Sequence, residues 1–153
     1  ITSMRTARGN PFGVLLPGSL SFVLCGGWNP SNYYLKTCEK LSLTNHTWSR
    51  IANMSIIRHA HAAILSNGKM VVIGGTTSLA RLISCEQYNE ANYTWTDFPS
   101  LNIARRSFGA AVVLGKIYVA GGWNGTTVLS SVEVFGGSSW TLLGSSLAGA
   151  VAP

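Results

Sequence analysis

Three stretches of this chain follow one pattern at a spacing of about 47 residues. A chain that repeats itself at that interval is confined to arrays of one small supersecondary unit. Gly-Gly pairs stand at Gly26-Gly27, Gly74-Gly75 and Gly121-Gly122. A glutamate follows each pair at Glu39, Glu86 and Glu133, and a tryptophan closes each stretch at Trp48, Trp95 and Trp140. Leu41, Tyr88 and Phe135 share another phase of the repeat, and Arg8 stands as the counterpart of Arg58 and Arg105.

Within a unit the apolar runs are short. Residues 61–65, 70–73, 85–88 and 94–98 are rich in β-branched and aromatic side chains, and turn-forming residues such as Ser66-Asn67-Gly68 and Pro99-Ser100 separate them. No window of a dozen residues carries a helical period. The unit is therefore expected to be a four-stranded antiparallel sheet and the chain to be all-β.

The Gly-Gly pair, the spaced glutamate and aromatic, and the tryptophan, in units of just under fifty residues, resemble the kelch repeat. The resemblance covers nearly the whole chain and implies a β-propeller, each repeat forming one blade around a central channel. Repeat 1 is expected over about 1–53, repeat 2 over 54–100 and repeat 3 over 101–147, with the start of a fourth at 148–153, so that 1–153 is a partial propeller. Propellers close with about four to eight blades. Three blades leave a ring open, and the chain is expected either to continue into further blades or to close by self-association with other copies.

The motif residues carry physical expectations of their own. Inner strands at 110–114 and 116–120 are apolar on both alternating faces and should be buried. The glycines should sit where a Cβ would clash. The third-strand aromatics and the tryptophans should cover those glycines and fill the space between adjacent blades. Replacing Trp95 by Ala should then cost about 3 to 5 kcal/mol through the cavity it leaves.

Charged residues make up 10% of the chain, against about 25% in ordinary soluble domains. Ser, Thr and Asn supply the polarity instead, and four Asn-x-Ser/Thr sequons occur at Asn45, Asn53, Asn92 and Asn124. They are glycosylation candidates if the chain passes through the secretory pathway, and Asn45 and Asn92 also suit turns for backbone reasons alone. Cys25 and Cys38 could face one another across a hairpin, where Ile73 with Cys85 and Ala120 with Val132 stand in the other units. Both a small apolar packing pair and a disulfide are open, and the compartment with them. The sequence holds no stretch of eighteen apolar residues that would span a membrane. The net charge of +6 reflects few acids rather than clustered bases; it favours an acidic partner and gives no nucleic-acid surface.

The polar constellation richest in binding chemistry lies at the junctions between units. Kelch adaptors that this sequence resembles bind peptides on a face made of these junctions and of the loops after the Gly pairs. Carried over by position, the partner-binding candidates are Arg58, His59, Arg105 and Arg106, with Trp28, Asn29, Trp123 and Asn124 from the loops. An arginine beside an aromatic ring can anchor an acidic or aromatic group. Arg58 and Arg105 have a second reading as structural groups that bind carbonyls or the repeated glutamate. The three histidines give no converging ligand set, so neither a metal nor another cofactor is expected. Recurrence of the glutamates at one phase argues for a structural carboxylate rather than a general acid. The expected function is that of a non-catalytic protein-interaction scaffold, with a lean to a secreted or extracellular adhesive or structural module. The alternatives are the substrate-binding part of an intracellular kelch adaptor of a cullin-based ubiquitin ligase and a carbohydrate-active propeller enzyme.

Overall fold

The computed structural model describes residues 3–31 and 33–144; the expected start of a fourth repeat at 148–153 lies outside them. The first sheet contains β1 (Phe12–Leu16) and β2 (Ser21–Cys25), joined through a 3-10 turn at Pro17–Ser19. A two-residue hairpin of β3 (Trp28–Asn29) and β4 (Tyr33–Tyr34) precedes its last two strands, β5 (Cys38–Ser42) and β6 (Trp48–Ile51). The second sheet is β7 (Ala62–Ser66), β8 (Lys69–Ile73), β9 (Cys85–Asn89) and β10 (Thr94–Phe98). The third is β11 (Gly109–Val113), β12 (Lys116–Ala120), β13 (Val132–Phe135) and β14 (Trp140–Leu142). Each is a four-stranded antiparallel meander whose strands lie side by side in chain order, and the three do not form a closed ring. No helix among the described residues is long and apolar enough to cross a membrane.

Turn chemistry fixes the register of the inner hairpins. Asn67-Gly68 and Leu114-Gly115 are two-residue connections with positive φ at both positions, 49° and 73° in the first and 49° and 75° in the second. That is the type I′ geometry whose twist matches paired strands. It sets Ala63 opposite Val72 and Ala110 opposite Val119.

Strand alternation then gives every sheet two apolar faces. In the second sheet Ala63, Leu65, Met70, Val72, Tyr88 and Trp95 turn toward the first, where they pack with Val14, Leu16, Val23, Cys25 and Cys38. The opposite phase, Ala62, Ile64, Val71, Ile73 and Cys85, packs on Ile117, Val119, Phe135 and Trp140 of the third. Two cores therefore lie between sheets.

The stacking ends at both outer faces. Leu15 on β1 is 50% exposed, and Val113 on β11 is 51% exposed. The expectation that both inner strands of the third unit are buried is therefore corrected for β11: Ala111 and Val113 lie on the face that no described residue covers, and Val112, on the face of Ile117, is exposed as well. In β12, Ile117 and Val119 are fully buried.

Candidate functional site

The repeated arginine, glutamate and glycines form one structural device in each sheet. Arg58 Nη1 donates to the carbonyls of Gly74 and Ser84 at 2.8 and 3.0 Å, and Nη2 donates to Ser84 Oγ at 3.3 Å and to Glu86 Oε1 at 2.7 Å. Arg105 repeats the set with Gly121, Ser131 and Glu133, and Arg8 with Gly26, Thr37 and Glu39. All three guanidinium-bearing side chains are 0% exposed. The carboxylates also accept from the chain that leads into the same sheet: Arg5 N–H on Glu39 Oε2 and Thr6 N–H on Oε1, Ser55 N–H and hydroxyl on Glu86 Oε2, Asn102 N–H on Glu133 Oε2 and Ile103 N–H on Oε1. Burial by itself would raise the Glu86 carboxyl, but the donors from Ser55 and Arg58 hold it below its ordinary value. Glu39 is lowered in the same way, its burial outweighed by Arg8, Arg5 and Thr6.

The backbone of the same arginine ties its sheet to the preceding one. Gly27 N–H donates to the Arg58 carbonyl at 3.1 Å, and Gly75 N–H to that of Arg105 at 2.8 Å. This close approach explains the glycine pair. A Cβ on Gly26 would stand 2.5 Å from the Arg58 carbonyl oxygen, and one on Gly74 2.8 Å from that of Arg105. The second glycine of each pair meets the junction segment of its own unit, His59 O for Gly75 and Arg106 O for Gly122.

The expectation that aromatics and tryptophans cover the glycines is thus corrected. Junction carbonyls and the rings of His61 and Phe108 do so. The tryptophans lie toward the outer strands, where Trp95 Nε1 donates to Ala52 O at 2.9 Å and Trp140 Nε1 to Pro99 O at 2.8 Å, each tying its sheet to the residue that follows the last strand of the sheet before. Tyr88 packs on Trp95 and Phe135 on Trp140, while Trp48 stands half-buried on the first sheet's outer face.

Arg58 and Arg105 are therefore corrected as partner-binding candidates. Neither has exposed surface, and both Nη groups of each are bonded within the sheet. The structure does bring His59 and Arg106 together, each one residue after a buried arginine. His59 stacks on Tyr34 of the preceding loop, with ring centroids 5.3 Å apart and planes 9° apart, and its Nε2 lies 3.4 Å from Asn10 Nδ2. Burial and then the charge of Arg106 hold its imidazole below its ordinary value. A recess of about 240 Å³ opens here, lined by Tyr34, His59, Thr76, Thr77, Ser78, Arg81 and Arg106.

The loop candidates divide. Trp28 is 42% exposed and pairs with Tyr34 across the β3–β4 hairpin. Asn29 is buried, its amide donating to Ala7 O. Trp123 is half-buried and bridges to Arg106 through the backbone. Asn124 Oδ1 accepts from Thr126 and Thr127 N–H and shapes its own loop. Tyr34 and Arg81 were not singled out from the sequence. They occupy the same phase, one residue before Leu35 and Leu82, which donate to the second glycine of each pair. A tyrosine, an arginine and Val128 alternate there, and such variation at one point of an otherwise regular repeat was the available signal.

Cys25 and Cys38 pair directly across β2 and β5 and are joined by a disulfide. Cys85 is buried and free, its thiol pushed up to about 11 by burial. Of the sequons, Asn45 and Asn92 are exposed in the turns before β6 and β10, where each Oδ1 accepts from the threonine hydroxyl of its own sequon, Thr47 and Thr94. Asn53 is exposed, but its sequon runs through buried Met54 to Ser55, whose hydroxyl is held by Glu86. Asn124 is half-buried. Among the described residues no three His, Cys, Asp or Glu side chains gather as a metal set would.

The Kelch motif model matches residues 22–55, 57–102 and 104–144. No curated protein matches the chain. Sheets built on the same arginine, glutamate and glycine device, each falling within or beginning just before a matched stretch, agree with that comparison: the chain belongs to the kelch-repeat family.

Proposed function

We propose that the chain is a non-catalytic protein-interaction scaffold that presents the junction and loop face of its sheets to a partner. One observation carries the reading: Arg8, Arg58 and Arg105 are consumed in structure, whereas Arg106 lines a recess outside the staples with His59 and Tyr34, and exposed Trp28 pairs with Tyr34 in the adjoining hairpin. An aromatic and an arginine around a concavity are the residue types that dominate binding hot spots. The apolar faces left open at β1 and β11 take further kelch sheets, from a continuing chain or from a second copy.

The Cys25–Cys38 disulfide and the exposed sequons at Asn45 and Asn92 support a secreted or extracellular setting. Mass measurement of the natural protein before and after enzymatic removal of N-glycans checks it: a drop is expected, and an unchanged mass with three free thiols places the scaffold inside the cell. For the binding face, partner recovered from the source should fall at least tenfold with Arg106→Ala or Trp28→Ala and stay constant with Lys69→Ala on β8. Equal recovery by all four proteins would remove the face from the account.

A further inference from the structure

Each sheet has two ends. At one, register sets Cys25 beside Cys38 and Ile51 in the first sheet, and Ile73 beside Cys85 and Phe98 in the second, and the glycine loops and junction segments leave from there. At the other stand the turns that join β5 to β6 and β9 to β10, and each carries a sequon, Asn45-His46-Thr47 and Asn92-Tyr93-Thr94. The two are built alike. Their middle residues have left-handed φ, 56° at His46 and 57° at Tyr93, and each asparagine Oδ1 accepts the hydroxyl of its own threonine at 2.7 Å. That bond uses Oδ1, not Nδ2, the nitrogen that bears sugar in an N-glycan.

Each of these turns also exposes a large apolar side chain, Leu43 in the first and Tyr93, 62% exposed, in the second. The matching turn of the third sheet is Gly136-Gly137-Ser138-Ser139, with neither a sequon nor an apolar side chain. Sequon and exposed apolar residue thus come and go together from sheet to sheet. The other two sequons lie at the junction end and are built differently. Asn53 is followed by buried Met54 and by Ser55, whose hydroxyl donates to Glu86 at 2.6 Å. Asn124 is half-buried, and its Oδ1 accepts from the N–H groups of Thr126 and Thr127 rather than from a hydroxyl.

We propose, resting on the secreted setting read above, that Asn45 and Asn92 bear N-linked oligosaccharides whose first sugars lie over Leu43 and Tyr93, and that Asn53 and Asn124 stay bare. Transfer takes an oligosaccharide activated as its polyprenyl pyrophosphate. Nδ2 forms a bond to the anomeric carbon, and the bond from that carbon to the pyrophosphate oxygen breaks. Lipid pyrophosphate leaves with the electron pair, and Nδ2 gives up one proton to a base of the transferase. Oδ1 remains an acceptor, so the threonine bond persists. The sugars take apolar surface out of water and bring hydroxyls that hydrate a chain with only 10% charged residues. One end of the molecule is then covered by sugar, and the junction end, where a glycan on Asn124 would obstruct a partner, is open.

Two preparations test this, the natural protein and the chain secreted from cultured animal cells behind a cleavable signal sequence. Enzymatic glycan release in heavy-oxygen water marks each occupied asparagine for peptide mapping. Asn45 and Asn92 should be marked, and Asn53 and Asn124 at least tenfold less. Occupancy of Asn53 or Asn124 equal to that of Asn45 would overturn the sorting by end, and a secreted chain without sugar would overturn both sites. Sugar on the secreted chain and none on the natural protein would instead overturn the secreted setting, with Asn45 and Asn92 still the acceptors. Limited iodination reads the covering separately. Tyr93 should react at least threefold faster once the glycans are removed, while Tyr33, 76% exposed in the β3–β4 hairpin at the junction end, keeps its rate. Asn92→Gln, which avoids the aspartate that enzymatic release leaves, should give the same fast rate, and Asn45→Gln should keep Tyr93 protected. Unaltered thermal melts separate these effects from misfolding, and enzymatic release from the unsubstituted chain decides the matter if a variant is not secreted. Equal Tyr93 rates with and without sugar would overturn the covering.

Discussion

Removing the Arg58 guanidinium would take the cation from Glu86 Oε1 and the side-chain donor from the carbonyls of Gly74 and Ser84, in a buried place. Breaking a buried pair from one side costs about 3 to 5 kcal/mol, and Arg58→Ala should destabilise the chain by that amount in urea unfolding. A loss under 1 kcal/mol would mean that the staple adds little. His61 tests the same neighbourhood by pH. It is fully buried beside Arg58, both ring nitrogens lack partners among the described residues, and burial, then the charges of Arg58 and His59, push its imidazole down to about 3 from an ordinary 6.5. The unfolded chain takes up a proton near pH 6.5 and the folded chain refuses it to about pH 3, so stability is full above that window and falls with pH through it. Between pH 7 and pH 5 the loss is about 2 kcal/mol. Phe108 holds the same phase of the repeat, so His61→Phe should flatten that decline. Melting curves equally pH-dependent in both proteins would contradict it. The buried arginines were legible in the sequence as recurring residues, and so was their reading as binders of carbonyls or the repeated glutamate; which carbonyls and which glutamate was not, because Arg58 and Glu86 are 28 residues apart, and only folding shows that they meet while Arg106, one position beyond Arg105, does not join a staple.

At the scale of elements, the hairpins read most clearly. Ser66-Asn67-Gly68 read as a turn, which the structure makes type I′ at Asn67-Gly68, and the expected strands at 94–98 and 116–120 coincide with β10 and β12. The run at 110–114 shifted by one residue, because Leu114 is no strand residue. It occupies the first turn position at φ 49° and is 97% exposed. A left-handed leucine costs roughly 1 to 2 kcal/mol that asparagine largely avoids. Leu114→Asn should therefore stabilise the third sheet by about 1 kcal/mol, read as a higher denaturation midpoint at unchanged slope; a lower midpoint would contradict the turn assignment. The tryptophans do not cover the glycines because junction carbonyls, of the next unit for the first glycine and of its own for the second, and the rings of His61 and Phe108 come closest, and a carbonyl carries no sequence signature. The polar recess was half legible for a related reason: His59 and Arg106 follow the repeated arginine, whereas Tyr34 and Arg81 lie in loops that vary between units.

At the scale of the whole molecule, sheets stacked in one direction must present different faces at the two ends. The phase that packs Ile64 and Ile73 against the third sheet recurs in that sheet as Ala111 and Val113, without a described neighbour. The opposite phase is open on the first sheet at Leu15. Exposed apolar faces of this kind mark interfaces, so the 153-residue chain produced alone should self-associate head to tail. Light scattering should give a mass above one chain at micromolar concentration, and Val113→Asp should lower it; a monomer in both cases would contradict the stacking geometry. Faces taken up in this way leave the junction loops as the surface available to a partner. The most direct measurement is site-specific photo-crosslinking to partner in a source extract, with a benzophenone side chain placed in turn at Ser78 beside the polar recess and at Thr141 on exposed β14. Adducts that form from Ser78, disappear with Arg106→Gln and are absent from Thr141 are expected; adducts from Thr141 alone, or from both positions regardless of Arg106, would contradict the assignment of the junction face.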